Sequence, residues 1–354
     1  MNNLIHSLTS MEESEFYEKF SNMEPMKYYE NDLNLAKAQD ILNNKDNGYI
    51  ASLKRDGEWA RVIILENSVL VQSRSVSKIT GRYGDKTALI PHLIEEFKQL
   101  PIGTVILGEL AFPDITKTSR DVGSILRCLP AKAIERQKEN PLHFYAFDLI
   151  AYNYKTLTDV PYVHRLRMLD SLSEMQYFHF TERRTLDFMD FADEIWSQGG
   201  EGIVIHKLNT FYSPGTRTAW NSLKVKKKME DLTVKVIDLI EPNKNYEGDY
   251  SSNWEYFVDQ NDNRIDRLEI YNVKDLGELI PVTKPYWRGW KNGVVIEYQG
   301  RRVSVTSGLT DKIRAYLATE EALEKISNGT LYAIITGMEL TADSIRHPIF
   351  KSLV

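Results

Sequence analysis

The chain has 354 residues, 42% of them hydrophobic, with a formal net charge of −6 and one cysteine, Cys128. That length allows two domains with separate cores, and the charge excludes a uniformly basic protein, so any nucleic-acid binding must come from local patches. A single cysteine excludes an internal disulfide and fits a reducing cytoplasm, with Cys128 expected as a buried apolar residue; no basic leader or membrane-length apolar run is evident, and the seven scattered histidines offer no zinc spacing.

Residues 1–45 read as polar and helical. Glu13, Phe16, Tyr17 and Phe20 stand at helical spacing, as do Leu33, Ala36 and Ile41, and packing is their expected role. Ile50 and Leu53 then lead to Asp56-Gly57, a hairpin signal, and Val62-Ile63-Ile64-Leu65 follows as a β-rich run. Lys54 therefore sits at the lip of a sheet. A lysine held there, partly dry and near other cations, can lose its proton and attack phosphorus. An ordinary surface lysine explains a lone K-x-D-G equally well, because short motifs recur by chance.

Asn67-Ser68 turns the chain into Val69-Leu70-Val71, which ends at Ser73-Arg74 before a polar loop with Lys78, Arg82 and Lys86. An amphipathic helix is expected over 89–100, with Ile90, Leu93, Ile94 and Phe97 on one face. Thr104 to Phe112 reads as a strand in which Glu109 either faces solvent or lines a site. A helical stretch over about 121–138 precedes an aromatic strand, 142–151, that carries Asp148. Further helices are expected over about 161–173, with Arg165 and Arg167, and 185–198, where Phe188, Ala192, Ile195 and Trp196 turn inward and Gly199-Gly200 stops the helix.

Glu201 stands at the mouth of the β-run Gly202-Ile203-Val204-Ile205-His206-Lys207. In Leu223-Lys224-Val225-Lys226 the two lysines alternate with apolar residues, so on a strand both point to one face. Paired ammonium groups repel unless an anion lies between them; a solvated edge strand, where lysines discourage aggregation, gives the same pattern. Lys227 and Lys228 are read as the solvated end of that strand. Composition shifts after Met229. Residues 233–240, a hairpin of 294–298 with 303–305 across Gln299-Gly300, a helix over about 310–326 and a strand over 331–340 suggest a small barrel.

Taken in order, Lys54-x-Asp56-Gly57, Ser73-Arg74, Glu109, Phe144-Tyr145-Ala146-Phe147-Asp148-Leu149, Glu201-Gly202-Ile203-Val204 and Leu223-Lys224-Val225-Lys226 resemble the motif set of ATP-dependent DNA ligases, members of the covalent nucleotidyltransferase superfamily. The stretch Gly337 to Phe350, with Arg346 two before Pro348, resembles their last motif, and the length and plan are similar to the small bacteriophage-type enzymes. The resemblance runs from about residue 47 to the C-terminus.

It implies an α+β chain. Residues 46–229 would be an adenylation domain of packed antiparallel sheets with helices, 1–45 its N-terminal helical segment, and 230–354 an OB-fold β-barrel. It also implies three steps. Lysine attacks the α-phosphorus of ATP and pyrophosphate leaves; AMP passes to the 5′-phosphate of a nick; the 3′-hydroxyl then displaces AMP.

By the same resemblance Lys54 is the nucleophile. Lys224 and Lys226 hold phosphates, and Glu201 is a ligand of Mg²⁺ or Mn²⁺. Glu109 accepts from the ribose hydroxyls, and Phe147 stacks on adenine, although an aromatic in an apolar strand can equally be core. Ser52 and Leu53 lie beside the nucleotide, while Asp56 and Arg74 lie near the ribose and the nick phosphate. Arg346 orients the pyrophosphate in the first step, which implies domain closure about a hinge near 229–231.

Three positions depart from the family pattern. Trp59 stands where an arginine is common, and Arg61, on the same strand face, is the expected replacement. Ser52 replaces a glutamate or glutamine near the base, and His206 replaces a lysine, with Lys207 next. The implied partner is nicked duplex DNA, held through Arg74, Lys78, Arg82, Arg165, Arg167, Arg217, Arg301 and Arg302. A loop at 243–253 or 281–292 would order on DNA. The expected state is a cytoplasmic monomer (host cytoplasm for a phage protein) with no obligate protein partner. An RNA ligase or capping guanylyltransferase shares the lysine chemistry, and an OB-fold binder with a spent nucleotidyltransferase domain is a non-enzymatic alternative.

Overall fold

The computed structural model describes residues 8–28, 36–43, 48–78, 80–218, 220–226, 230–246, 256–265, 279–337, 339–340 and 344–354. They fall into two compact units, Met1–Lys227 and Lys228–Val354. Among the described residues no helix is long and apolar enough to cross a membrane.

The first unit runs α1 (Glu13–Asn22), β1 (Lys27–Tyr28), α2 (Ala36–Asn43), β2 (Tyr49–Lys54), β3 (Glu58–Ile64), β4 (Val69–Val76), β5 (Tyr83–Asp85), α3 (Pro91–Phe97), β6 (Thr104–Ala111), α4 (Ser119–Leu126), α5 (Pro130–Arg136), β7 (His143–Tyr152), β8 (Lys155–Thr156), α6 (Tyr162–Leu169), β9 (Phe178–Phe180), β10 (Arg183–Arg184), α7 (Phe188–Ser197), β11 (Gly202–Lys207), β12 (Arg217–Thr218) and β13 (Ser222–Lys226).

Two sheets dominate it. The larger has the order β5-β4-β3-β6-β7-β8, antiparallel throughout, with β9 parallel to β7; the smaller is antiparallel, β10-β2-β11-β13. Side chains alternate across each strand. On the larger sheet Ala60, Val62 and Ile64 face a core completed by Leu93 and Phe97 of α3 and Val122 of α4. Ile63, Val105 and Leu107 face the other way, onto the buried Phe16 and Phe20 of α1. On the smaller sheet Ala51, Leu53, Ile203, Ile205, Leu223 and Val225 pack on α2 and α7.

The expected hairpin at Asp56-Gly57 does not form. β2 pairs with β10 and β11, whereas β3 pairs with β4 and β6, so Arg55–Gly57 is a corner between the two sheets. Close approach explains the glycine, since a Cβ on Gly57 would lie 2.3 Å from the Leu110 carbonyl oxygen. The helix expected over 121–138 is two, because Pro130 starts a new one at its first turn. Cys128 is half-buried.

The second unit comprises β14 (Leu232–Ile240), β15 (Phe257–Val258), β16 (Arg264–Ile265), β17 (Ile280–Pro281), α8 (Lys284–Arg288), β18 (Gly293–Tyr298), β19 (Arg301–Val305), α9 (Asp311–Tyr316), α10 (Glu320–Ser327), β20 (Tyr332–Thr336), β21 (Glu339–Leu340), β22 (Ile345–Arg346) and β23 (Ile349–Leu353). A five-stranded sheet, β19-β18-β14-β20-β23, curls until its edges meet through a parallel bridge between Ser307 and Ile349. Gln299 and Gly300 both have positive φ, 48° and 72°, as the tight turn between β18 and β19 requires. Val236, Val294, Ile296, Val305, Ala333, Ile335 and Phe350 fill the interior. The helix expected over 310–326 is again two, each capped by its own threonine, Thr310 and Thr319. The strand expected over 331–340 is confined to Tyr332–Thr336 before the short β21.

Candidate active site

Register builds one wall of the site. Antiparallel partners share a face. In the smaller sheet Gly202 of β11 lies opposite Lys54 on one side and Lys226 on the other, and Val204 lies between Ser52 and Lys224 in the same way. The apolar residues that alternate with them anchor that sheet to α2 and α7, so the polar set is turned outward together. Gly202 has φ of +142°, and a Cβ there would sit 2.1 Å from the Val225 carbonyl oxygen. Only glycine allows β13 to come this close.

The larger sheet forms the facing wall. Trp59 pairs with Glu109, and Glu109 with Tyr145. A bulge between Leu107 and Gly108 in the β6–β7 pairing leaves Phe147 outside the regular register, and Phe147 joins the lining. The resulting cavity, about 170 Å³, is lined by Ser52, Leu53, Lys54, Arg55, Trp59, Arg74, Glu109, Phe147, Thr181, Val204, His206 and Lys224.

Glu201 is the electrostatic centre. One carboxylate oxygen is 2.6 Å from the Lys54 ammonium and the other 2.9 Å from that of Lys226. All three side chains are largely buried, so these charges are screened less than surface ones. Glu109 behaves differently. Burial pushes its carboxyl up to about 8, against the attraction of Lys54 and with repulsion from Glu201, Asp56 and Glu58. Burial also pushes His206 down to about 4, opposed by Asp148 and helped by Arg165, so His206 is a neutral imidazole at the cavity wall.

Two expected site residues are engaged elsewhere. Arg61 does not reach the cavity in place of the missing arginine at 59. It shares the face of β3 that carries Trp59 but is buried further along the strand, where its guanidinium donates to Gln72 Oε1 and to the carbonyls of Ser21 and Met23. Arg165 is not a DNA-facing cation. It is 2% exposed and locked in a two-pronged pair with Asp148, with Nε–Oδ1 at 2.8 Å and Nη2–Oδ2 at 2.9 Å. Helical position made the arginine look peripheral, yet α6 packs on β7 and buries it with the strand acid Asp148.

Asp56 is half-buried in the corner after β2, outside the lining. Arg74 is exposed and lines the cavity, with Nη2 donating to the Met26 carbonyl. Lys78, Arg82, Arg167, Arg217, Arg301 and Arg302 are exposed, and Arg302 is paired with Asp238. Arg346 lies on β22, whose backbone pairs with Glu339 of β21. Lys227, Lys228, Met229 and residues 247–253 lie outside the described residues.

Sequence reasoning missed Arg55 and Thr181 in the lining. Arg55 stacks on Tyr145, with its guanidinium carbon 3.4 Å from the ring centre, and donates to the carbonyls of Phe112 and Pro113. Its position directly after Lys54 was the available signal. Thr181 arrives only through the parallel β7–β9 pairing, which no spacing announces. The scattered histidines also conceal a pair in space, with His143 Nδ1 2.9 Å from His179 Nε2. Among the described residues no group of three or more His, Cys, Asp or Glu side chains gathers to hold a metal.

Residues 33–226 match the family model described as ATP dependent DNA ligase domain. A DNA ligase of Methanococcus aeolicus is 29% identical over 190 residues, covering 51% of this chain and 32% of that protein. A DNA ligase of Saccharolobus solfataricus is 24% identical over 219 residues, covering 58% of this chain and 35% of that protein. The chain thus spans about a third of the length of these relatives. In fold, it is similar to a solved Lig E DNA ligase, with a TM-score of 0.58 at 17% identity over 94% of this chain and 98% of the other.

Proposed function

The chain belongs to the ATP-dependent DNA ligase family, and from that membership we propose that it seals nicks in duplex DNA with ATP, through an AMP carried on Lys54. One observation carries the reading: Glu201 holds Lys54 and Lys226 within hydrogen-bonding distance, and Lys54 lines a cavity together with Lys224, Glu109, Phe147 and Arg74.

Lys54 Nζ, once deprotonated, donates its lone pair to the α-phosphorus as the bond to pyrophosphate breaks. Phosphoryl transfer of this kind depends on positioning and charge stabilisation more than on covalent help. Lys224 and Lys226 are assigned to the phosphate oxygens and Glu109 to the ribose hydroxyls. Phe147 is assigned to a face of the adenine, with Ser52 at its edge. Arg74 is assigned to the 5′-phosphate of the nick, which takes the AMP before the 3′-hydroxyl displaces it.

A divalent cation, Mg²⁺ or Mn²⁺, fits the donor set in a limited way. Glu201 is one hard carboxylate, which suits a cation held mainly by substrate phosphates and water. Bound there, the cation would neutralise phosphate charge, while Glu201 would exchange at least one ammonium partner for it.

The second unit is assigned to the OB-fold. The support is its five-stranded sheet with meeting edges and the helical segment between β19 and β20. Arg346 in that unit is assigned to the pyrophosphate during the first step.

Intact-protein mass after incubation with Mg²⁺ and ATP, or GTP in parallel, tests the proposal. An AMP-sized gain with ATP, lost on adding nicked DNA, is expected. A gain with GTP would move the chain to the capping class. An AMP gain discharged by nicked RNA but not by nicked DNA would make it an RNA ligase. No gain, from protein stripped of AMP, would refute the enzymatic reading.

A further inference from the structure

β7 and β9 lie parallel, with Phe144 opposite Phe178 and Tyr145 opposite His179. The two phenylalanines are fully buried and stack at 6.1 Å, which locks this register. Alternation then turns His143, Tyr145 and His179 together to the other face of the sheet. Their rings gather there. Tyr145 stacks on His143 at 6.2 Å and on His179 at 5.5 Å, and Tyr177 packs edge-on against His143 at 5.3 Å. Neither histidine has a part in the chemistry assigned to Lys54.

The two imidazoles are aimed nitrogen to nitrogen, with His143 Nδ1 2.9 Å from His179 Nε2. Each neutral ring carries one proton and one lone pair. Glu174 biases where the proton of His179 goes. Its Oε1 is held by the Phe180 amide at 2.7 Å and lies 4.0 Å from His179 Nδ1, the nitrogen that does not face His143. That negative charge favours a proton on Nδ1 and leaves the Nε2 lone pair toward His143. Histidines that ligate metals are set up in the same way, with the second nitrogen turned to a carboxylate. His92, edge-on to the same Tyr177 at 4.8 Å, is committed elsewhere, since its Nε2 donates to the Leu142 carbonyl at 2.9 Å.

Nitrogens this close share either one proton or one metal ion. With metal–nitrogen bonds of about 2.0–2.1 Å, a separation of 2.9 Å subtends roughly 90° at the ion. That is the cis angle of a tetragonal centre rather than a tetrahedral one, and imidazole nitrogens in that geometry suit Cu²⁺ or Ni²⁺. The His179 side chain is 28% exposed and His143 is half-buried, so solvent has access to the remaining coordination positions. Among the described residues no third His, Cys, Asp or Glu completes the group.

We propose that His143 and His179 form a two-nitrogen site for a tetragonal transition-metal dication, Cu²⁺ or Ni²⁺, separate from the oxygen-ligated cation assigned to Glu201. His143 binds through Nδ1 and His179 through Nε2. Without the ion, His143 Nδ1 donates to His179 Nε2; on binding, that proton passes through solvent to His143 Nε2, so that both lone pairs face the metal. The site stands on this geometry and is independent of the ligase reading.

The test is equilibrium dialysis of the full chain against Cu²⁺ at neutral pH, with excess Mg²⁺ present to occupy carboxylates, followed by electron paramagnetic resonance of the loaded protein. The parent should bind one more Cu²⁺ per chain than His143→Gln/His179→Gln, and should show a tetragonal spectrum coupled to two nitrogens that the variant lacks. His347→Gln, which removes an exposed histidine of the second unit, should match the parent. Glu174→Gln should keep the two-nitrogen spectrum and bind about tenfold more weakly, the scale of losing a partner behind a ligand. Melting followed by circular dichroism checks folding. Should the double variant not fold, His179→Gln alone must lose the two-nitrogen coupling.

Equal Cu²⁺ uptake by the parent and the folded double variant would overturn the site and leave the pair a plain hydrogen bond. So would extra Cu²⁺ whose spectrum shows a single nitrogen. Binding as tight in Glu174→Gln as in the parent would overturn the tautomer argument on which the site rests.

Discussion

The Lys54 ammonium lies 2.6 Å from one carboxylate oxygen of Glu201, across a strand pairing in which Gly202 is the direct partner of Lys54. The other oxygen holds Lys226. One acid thus fixes two cations that would otherwise repel. Glu201→Gln keeps the shape and removes the charge. AMP uptake, followed by intact mass against time, should slow by about a hundredfold or more, the scale seen when one preorganised charge partner is lost. Uptake within a factor of two of the parent would refute the central role given to this carboxylate.

Glu109 predicts an unusual pH dependence. Its carboxyl is pushed from 4.5 to about 8, chiefly by burial. Between those values the folded chain keeps a proton that the unfolded chain has released, so stability falls as pH rises through this window. Glu109→Gln removes the titration. Urea midpoints of the variant should therefore gain on the parent from pH 5 to pH 8.5, by on the order of 3 kcal/mol in stability. Parallel midpoint curves for the two proteins would refute the prediction.

The buried pair of Asp148 and Arg165 should show a steep asymmetry. Asp148→Ala leaves a guanidinium that is 2% exposed without its counter-charge. The expected loss is about 3–5 kcal/mol. Replacing both residues with leucine should cost less than the single change, because no charge is stranded. Chemical denaturation of the three proteins decides this, and a double variant less stable than the single would contradict the account.

Gly202→Ala tests the register itself. The added Cβ would meet the Val225 carbonyl at 2.1 Å, backbone against backbone, with φ at +142°. β13 must move, and Lys226 would move away from Glu201. AMP uptake should fall at least tenfold while much of the fold persists, since an error of about 1 Å in placing a catalytic group can cost a hundredfold. Circular dichroism alongside the mass assay separates displacement from unfolding; uptake at the parent's rate would count against the register argument.

The residues of the site that could be read from sequence are those fixed by local period. Lys224 and Lys226 alternate with core residues, and Glu201-Gly202 opens an apolar β-run, so strand geometry alone put them on one wall. Asp56-Gly57 misled because a tight turn looks the same whether the next strand joins the same sheet or another one. Arg61 and Arg165 misled because their partners are distant in the chain or come from another element: the carbonyls of Ser21 and Met23, and Asp148 on β7. Spacing cannot report such partners. The pairings that place Thr181 and bring His143 to His179 were invisible for the same reason.

The register around Gly202 also bears on which genetic changes this gene can absorb. Many substitutions in Ile203–Ile205 would keep each side chain on its own side of the sheet. Losing or gaining one codon there would exchange the two sides, turning isoleucines toward the cavity and cavity residues into the apolar layer. In a library of single-codon deletions, this strand and β13 should be depleted far more severely than in a library of single substitutions. The surface loop between β4 and β5 should show little difference between the two libraries.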